Sequence, residues 1–274
     1  MRRLHLFEFE DFPWFPNWLR DYGTDFLRAI SDRADYYEHI IPIMNEVLER
    51  SNESTFIDIA SGGGGGWEKI LRRLIRSKPE VKVVLTDLYP NHAAFAKLES
   101  KFPEHVTRCA YPVDALEVPP CLRGVRTQFM SFHHFEAQDA QQILANAVAQ
   151  CSPVLIVEAQ ERNVFNLLKF IALSPLSVWL VTPGIRPFKW RRILFTYLLP
   201  IVPAYLLWDG LVSVCRTYTL DELLDFAYRA DPDQAYIWEV GKTESRLMPV
   251  CYLLGYPVEN HSDSPSGTFK TSAP

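Results

Sequence analysis

Between Phe56 and Ala159, short apolar runs alternate with longer stretches in which apolar residues recur every three or four positions. Short apolar runs bounded by polar loops are typical of buried strands, and the longer stretches are typical of amphipathic helices. Strict alternation of the two predicts consecutive strand and helix units around a parallel sheet. The predicted strands are 55–60, 82–86, 105–111, 126–131 and 153–158, and the predicted helices are 67–76, 91–101 and 137–149.

The pattern resumes after a long interruption. Thr219-Leu220-Asp221-Glu222 combines a capping hydroxyl with a glutamate three residues later, which predicts the start of an amphipathic helix over 219–229. Two further strands, 235–240 and 248–255, are predicted to finish the sheet in antiparallel fashion. The predicted fold class is therefore α/β, with a seven-stranded, mostly parallel sheet and helices on both faces.

Three segments lie outside this α/β domain, which we place at 51–158 plus 218–258. Residues 1–50 form a mostly helical, aromatic-rich N-terminal cap, whose aromatic side chains must cover apolar surface. Residues 159–217 form an insertion between the fifth and sixth strands. Residues 259–274 are rich in Ser, Pro and Asp and are predicted to be a disordered tail.

The insertion is hydrophobic and basic. It contains two 16-residue segments without a charge, 170–185 and 193–208, and its net charge is +5 from seven basic and two acidic residues. Prolines interrupt both segments, and each is short for a membrane span. Two interpretations stay open: a helical lid over an apolar substrate cavity, or a hairpin that contacts a membrane surface. Both predict a hydrophobic small-molecule partner.

Composition narrows the class of protein. The chain has 274 residues, of which 48% are hydrophobic and 22% charged, which excludes a wholly disordered chain. Its net charge of −5 argues against nucleic-acid binding, which usually requires an excess of basic residues. Five widely spaced cysteines without a Cys-x-x-Cys pair argue against a disulfide framework or a zinc site. We predict no metal and a cytoplasmic location, peripheral at the inner face of a membrane if the insertion binds one.

The segment from Phe56 to Trp67 is a strand followed by five glycines and a helix. Glycines at such a turn let a ligand approach the backbone, and the helix N-terminus favours negative charge. The run ends in Gly-Trp-Glu, whereas a P-loop ends in Gly-Lys-Ser/Thr, and a dinucleotide fingerprint starting at Gly62 needs glycine where Trp67 stands. A nucleoside-type cofactor such as S-adenosyl-L-methionine fits better, with Asp87 placed to hold ribose hydroxyls.

The segment 58–64 resembles the first motif of the class I S-adenosylmethionine-dependent methyltransferases, with Ala60 in place of the first glycine. The resemblance implies a Rossmann-like fold and S-adenosyl-L-methionine as cofactor. It also implies that Asp58 orients the turn, that Asp87 holds the ribose, and that Asp114 lies near the adenine amine. The full implied cofactor-binding set is Asp58, Ala60, Ser61, Gly62, Gly64, Asp87, Leu88, Asp114, Ala115 and Ser131.

Three side chains are candidates for catalysis. His133 and His134 follow the fourth predicted strand, and Glu158 ends the fifth, where open α/β sheets place their ligands. Transfer to a hydroxyl requires removal of a proton, which a histidine or a glutamate performs. Two alternatives stay open: the histidines only shape the cofactor pocket, and Glu158 only pairs with an arginine such as Arg162 or Arg216.

These observations predict an S-adenosylmethionine-dependent methyltransferase that acts on a hydrophobic small molecule by O-, N- or C-methylation. One alternative is a noncatalytic, membrane-associated protein that binds the cofactor. Another is a nicotinamide-dependent oxidoreductase on a related fold, which Trp67 disfavours. A non-methylating rearrangement on the same fold is a third. The acceptor atom and the oligomeric state are not predicted.

Overall fold

The computed structural model describes residues 1–12, 14–35, 37–243 and 249–258. Within these ranges seven strands form one sheet in the order β3-β2-β1-β4-β5-β7-β6. The strands are β1 Thr55–Asp58, β2 Lys82–Leu85, β3 Val106–Arg108, β4 Val125–Phe129, β5 Val154–Glu158, β6 Tyr236–Thr243 and β7 Val250–Pro257. The α-helices are α1 Asn17–Ala34, α2 Ile41–Arg50, α3 Trp67–Ser77, α4 His92–Lys101, α5 Ala137–Ala149, α6 Val164–Val181, α7 Trp190–Ile193, α8 Ile201–Arg216 and α9 Leu220–Ala230.

Strands β1 to β5 run parallel to one another, and β7 inserts between β5 and β6 antiparallel to both. The predicted α/β class, the seven strands and the antiparallel finish are confirmed. The predicted third strand was too long, because the chain turns away after Arg108 to hydrogen-bond Asp87 through Val113. Since β1, β2, β4 and β5 end at one edge, their following loops meet there.

Helices cover both faces of the sheet. Alternate residues of β1 point to opposite faces, so Phe56 packs with Trp67 and Met44 on one side. Ile57 packs with Leu144 and Phe226 on the other side. The sheet is therefore buried on both faces, as the continuous apolar strands predicted.

The cap and the insertion form a third apolar cluster of their own. Phe15 and Phe26 of the cap pack with Val178 of α6 and Tyr205 of α8. Backbone N–H groups of the cap add polar contacts, since Phe9 N donates to Asp209 Oδ1 at 2.8 Å. The aromatic residues of the cap thus pack on the insertion. The insertion supplies the apolar surface that we expected these residues to cover.

Among the described residues, one helix of the insertion and one bent pair of helical segments meet the length and apolarity of a membrane span. In the described part of the chain, Val164–Gly184 is long and apolar enough to cross a bilayer, and Trp190–Leu198 with Ile201–Arg216 passes the same test as a pair bent by 75°. Helices α6 and α8 pack against each other. The predicted tail 259–274 lies outside the described residues, as does Met248 at the start of the seventh predicted strand.

Candidate functional site

The glycine turn occupies the carboxyl edge of the sheet, between β1 and α3. Ala60, Gly62, Gly64 and Gly66 all have positive φ, at 54°, 55°, 67° and 86°. Left-handed backbone favours glycine because a Cβ is strained there, which accounts for Gly62, Gly64 and Gly66. A Cβ built on Gly62 meets no atom within 4 Å. The turn therefore borders open space in which a ligand can approach the backbone.

Asp58 lies beneath the turn and ties it to the sheet. Its carboxylate accepts a hydrogen bond from Thr127 Oγ1 at 3.0 Å, and its carbonyl accepts one from Ser61 Oγ at 2.9 Å. The side chain is almost fully buried. Burial raises the pKa of Asp58 to about 7, because hydrogen bonds offset the lost hydration of the carboxylate only in part. This placement suits the turn-orienting role that the resemblance implied.

Asp87 connects the end of β2 to the glycine turn. Its Oδ2 accepts a hydrogen bond from Gly62 N at 2.7 Å, and its Oδ1 accepts one from Tyr89 N at 2.8 Å. Each carboxylate oxygen retains a second lone pair that a ligand hydroxyl can use. The neighbouring Leu88 side chain is exposed, so it is available to contact a ligand at the same edge.

The loop after β3 joins this edge through the backbone. Val113 N donates to the Asp87 carbonyl at 2.9 Å, which carries Asp114 and Ala115 to the end of β2. The Asp114 side chain is exposed and accepts a hydrogen bond from Leu116 N at 2.9 Å. Ala115 is buried in the apolar cluster on one side of the sheet. The two acidic residues predicted for ribose and adenine are thus joined by a direct backbone contact between their loops.

Ser131 follows β4 at the same edge. Met130 before it has a left-handed φ of 54°, and its N–H donates to the Val157 carbonyl at 2.9 Å. The Ser131 hydroxyl is buried, yet it has no hydrogen-bond partner among the described residues. Buried hydroxyls are nearly always paired, so this oxygen is suited to receive a ligand group.

His133 and Glu158 form a buried acid–base pair at the ends of β4 and β5. His133 Nδ1 lies 2.9 Å from Glu158 Oε2, and His133 N donates to Glu158 Oε1 at 3.1 Å. Only 3% of each residue is exposed. The carboxylate therefore fixes both the backbone and the ring of the histidine.

The alternative pairing of Glu158 with an arginine is wrong. Arg162 pairs at 2.7 Å with Glu222, which lies in the first turn of α9. Arg216 pairs with Asp11 at 2.6 Å instead. Both arginines are drawn to acidic residues of other segments, which leaves Glu158 to the histidine.

His134 lies beside His133 and contacts the N-terminal cap. Its ring centroid is 4.3 Å from that of His133, and its Nδ1 and Nε2 are 3.5 Å from Asp11 Oδ1 and 4.0 Å from Glu8 Oε2. Burial alone would raise the pKa of Asp11, but hydrogen bonds from His134 and Arg216 hold it well below its usual range. Burial raises the pKa of Glu8, and the nearby positive charge of Arg216 offsets this only in part.

Sequence reasoning missed Glu8 and Asp11 as site residues and named Arg216 only as an alternative partner of Glu158. The available signal was the presence of acidic residues inside the aromatic segment around Phe9. Such a segment is buried by its aromatic side chains, so its carboxylates need polar partners at a site in the interior.

Glu8, His133 and His134 each offer one ligand atom, and these atoms lie within 4.8 Å of one another. This cluster is of the kind that binds a metal, and no cluster was expected from the sequence. However, Glu158 already holds His133 Nδ1, and the guanidinium of Arg216 lies 3.3 Å from Glu8. The fixed positive charge of Arg216 repels a metal cation from this position. We therefore interpret Glu8, His133 and His134 as polar groups that balance the charge of the site rather than as metal ligands.

An apolar groove of ≈ 300 Å³ lies between the cap and α8. Its lining residues are Phe9, Phe15, Leu19, Ile201, Ala204 and Tyr205. Phe9 follows Glu8 directly in the chain, and the Glu8 carboxylate lies 4.0 Å from His134. The cap therefore contributes neighbouring residues to the groove and to the surroundings of His134.

No protein-family model matches the chain, and no curated protein matches its sequence. Among solved structures, the pyocyanin biosynthetic protein PhzM is 16% identical with a TM-score of 0.53, over 88% of this chain and 61% of PhzM. An O-methyltransferase family protein from Burkholderia thailandensis is 14% identical with a TM-score of 0.48, over 82% of this chain and 57% of that chain. The chain therefore spans less than two thirds of either structure.

At this identity the likeness to PhzM concerns the fold alone. The chain has a Rossmann-like α/β fold built on a seven-stranded mixed sheet.

Proposed function

We propose that this protein is an S-adenosyl-L-methionine-dependent O-methyltransferase that acts on a hydroxyl group of a hydrophobic small molecule. One observation carries the proposal: the buried pair of His133 and Glu158 stands at the same sheet edge as the glycine turn. Donor binding and proton removal, the two requirements of O-methylation, thereby meet at one place.

The residues at the edge fit the proposed cofactor. Space beside Gly62 admits the methionyl part, Asp87 offers two acceptor oxygens to ribose hydroxyls, and the unpaired Ser131 hydroxyl gains a partner. Leu88 and Asp114 are exposed where the adenine would lie. When bound, the cofactor supplies an electrophilic methyl group on a sulfonium.

His133 would act as the general base. Glu158 Oε2 would accept a hydrogen bond from the Nδ1–H of His133, which favours the tautomer that has a free lone pair on Nε2. That nitrogen would take the proton of the acceptor hydroxyl as the methyl carbon exchanges its bond to sulfur for a bond to oxygen, with sulfur keeping the electron pair. The carboxylate would stabilise the resulting imidazolium. Burial of the pair excludes water and strengthens this interaction.

The acceptor is proposed to be apolar because of what surrounds the site. The groove between the cap and α8 is lined by aromatic and aliphatic side chains, and its volume is at the low end for ligand pockets. Phe9 of this groove follows Glu8, whose carboxylate lies 4.0 Å from His134, the neighbour of His133. An acceptor with an apolar body and one hydroxyl matches this distribution.

Features of the fold separate the proposal from its alternatives. The dinucleotide-binding fold has the strand order 3-2-1-4-5-6, whereas this sheet has β7 inserted before β6. Trp67, where a third fingerprint glycine would stand, is a fully buried core residue. A noncatalytic cofactor-binding protein has no need of a buried, oriented histidine.

Calorimetric titration with S-adenosylmethionine, S-adenosylhomocysteine and the two reduced nicotinamide cofactors tests the donor class. We expect micromolar binding of the sulfur cofactors, lost in Asp87→Ala and retained in Asp233→Ala, which changes an exposed aspartate before β6. Circular dichroism establishes that both variants are folded. The proposal fails if the folded protein binds neither sulfur cofactor, or binds a nicotinamide cofactor instead.

A further inference from the structure

Helix α6 of the insertion places apolar side chains outward and polar side chains inward, the reverse of a helix that faces water. It buries the polar side chains of Asn166 and Ser174, which are 5% and 6% exposed, on the same side as Val178 and Val181. It exposes Phe165 and Leu180, which are 74% and 72% exposed. Only 22% of its most apolar 18-residue window is buried, so α6 is not a core helix. Apolar side chains facing outward and polar ones inward are typical of a helix whose surroundings are themselves apolar.

The same inversion continues past the end of α6. In α7 and the π-helical turn Leu194–Leu198, the buried side chains are Arg192 and Thr196. Phe188, Trp190 and Leu198 are exposed beside them. Polar groups therefore again face the protein while large apolar groups face outward.

The N-terminal cap extends this surface. Trp18 is exposed and its ring centroid lies 4.8 Å from that of Phe195, and Trp14 is exposed close by in the chain. We define the outer face of the insertion as the exposed apolar side chains Phe165, Leu168, Leu176, Leu180, Phe188 and Trp190. Monomeric soluble proteins rarely expose contiguous apolar patches above a few hundred Å². Six large apolar side chains exposed on one face therefore indicate a binding surface.

Charge indicates what binds there. Residues 162–208 contain six basic residues and no acidic one. Lys189 and Arg192 already pair with Asp25 of α1. Arg186 and Arg191 are exposed on either side of Trp190, and the Arg191 guanidinium lies 5.7 Å from the Trp190 ring centroid. Tryptophan and arginine side by side at the rim of an apolar surface match the headgroup layer of an anionic membrane.

We propose that the outer face of the insertion binds the surface of an anionic lipid bilayer, with α6 in the interface and Arg186 and Arg191 at the headgroups. We expect the bound protein to lie on the bilayer rather than to span it. The reason is that α8, which packs on α6, holds the charged residues Asp209 and Arg216 in buried contacts with the cap. These charges stay inside the protein. This inference does not depend on the proposed methyltransferase function.

Co-sedimentation of the full chain with vesicles tests the proposal. One set of vesicles is phosphatidylcholine alone, and the other contains phosphatidylcholine with phosphatidylglycerol. We expect the protein to bind the anionic vesicles more tightly, and Arg186→Glu with Arg191→Glu to weaken that binding by at least fivefold. Phe165→Ser with Leu180→Ser should weaken binding to both kinds of vesicle by at least tenfold.

Matched variants outside the face serve as controls. Tyr228→Ser removes an exposed aromatic residue on α9, and Arg123→Glu reverses an exposed charge before β4. Both should bind vesicles as the parent protein does. The proposal is overturned if the parent protein binds neither vesicle, or if the Phe165 and Leu180 variant binds equally well. A stable dimer without vesicle binding would also overturn it, and would assign the face to a second copy of the chain.

Discussion

The imidazole of His133 and the carboxylate of Glu158 are held together at 2.9 Å in an almost fully buried pair. The contact joins the ends of β4 and β5, two neighbouring parallel strands. It is doubled by the hydrogen bond from the His133 backbone to the same carboxylate. A histidine held at two points keeps one ring orientation, which a general base requires.

Replacement of His133 by Asn or of Glu158 by Gln should therefore affect turnover and leave cofactor affinity intact. We expect methyl transfer from labelled S-adenosylmethionine to a panel of apolar phenols to fall about 10²- to 10⁴-fold, the usual contribution of a general base. The cofactor dissociation constant should change less than about twofold. Glu136→Gln, an exposed change near the pair, is the control. Unchanged turnover in both variants would mean that the pair has a structural role only.

Asp58 should make stability depend on pH. Its folded-state pKa of about 7 lies above the ordinary value of 3.8, so the folded protein retains a proton that the unfolded chain releases. Stability is fully present below the lower value and declines as pH rises through the higher one, by roughly 1.4 kcal/mol per pH unit at most.

Comparison with Asp58→Asn isolates this effect. The amide stays neutral and its oxygen still accepts the hydrogen bond from Thr127. Urea unfolding from pH 4 to pH 8 should show the parent protein losing stability relative to the variant, by a few kcal/mol over the range. A constant difference between the two proteins across this range would contradict the raised pKa.

The cofactor edge was predictable because its residues follow strands directly. Once β1, β2 and β4 are read from their apolar runs, Gly62, Asp87 and Ser131 must meet at the carboxyl edge. The pairing of His133 with Glu158 was not predicted, although both positions were, since the contact depends on side-chain rotamers.

Contacts across long sequence distances were not predictable. Arg216 reaches Asp11 across 205 positions, and no local pattern encodes that approach. The outward face of α6 was hidden for another reason: a nearly uniform apolar segment has no periodicity from which a buried side can be chosen. Short β3 illustrates a third limit, because an edge strand ends where its neighbour stops offering hydrogen bonds.

The glycine turn offers a matched pair of substitutions. Ala60 and Gly62 have nearly equal positive φ angles, 54° and 55°. Ala60→Gly should stabilise the protein by about 1 kcal/mol because it relieves left-handed strain at a residue with a Cβ. Gly62→Ala should destabilise it by a similar amount, since no neighbouring atom compensates. Urea denaturation measures both, and opposite signs are expected; equal signs would mean that the backbone angle does not govern the turn.

Asp25 should anchor the insertion to the cap. It pairs with Arg192, whose side chain is 2% exposed, and with Lys189 at 3.3 Å. Removing one partner of a buried ion pair leaves an uncompensated charge, so Asp25→Ala should cost about 3 kcal/mol in unfolding free energy.

Two further variants distinguish the buried charge from simple truncation. Asp21→Ala removes an exposed carboxylate one turn earlier on the same helix and should cost less than about 0.5 kcal/mol. Combining Asp25→Ala with Arg192→Met removes both charges and should restore most of the loss, because an apolar side chain of similar length is tolerated in the interior. Equal effects of Asp25→Ala and Asp21→Ala would show that Arg192 finds another partner. A loss that Arg192→Met does not restore would place the effect in the packing of α1 against α6 and α8 rather than in the ion pair.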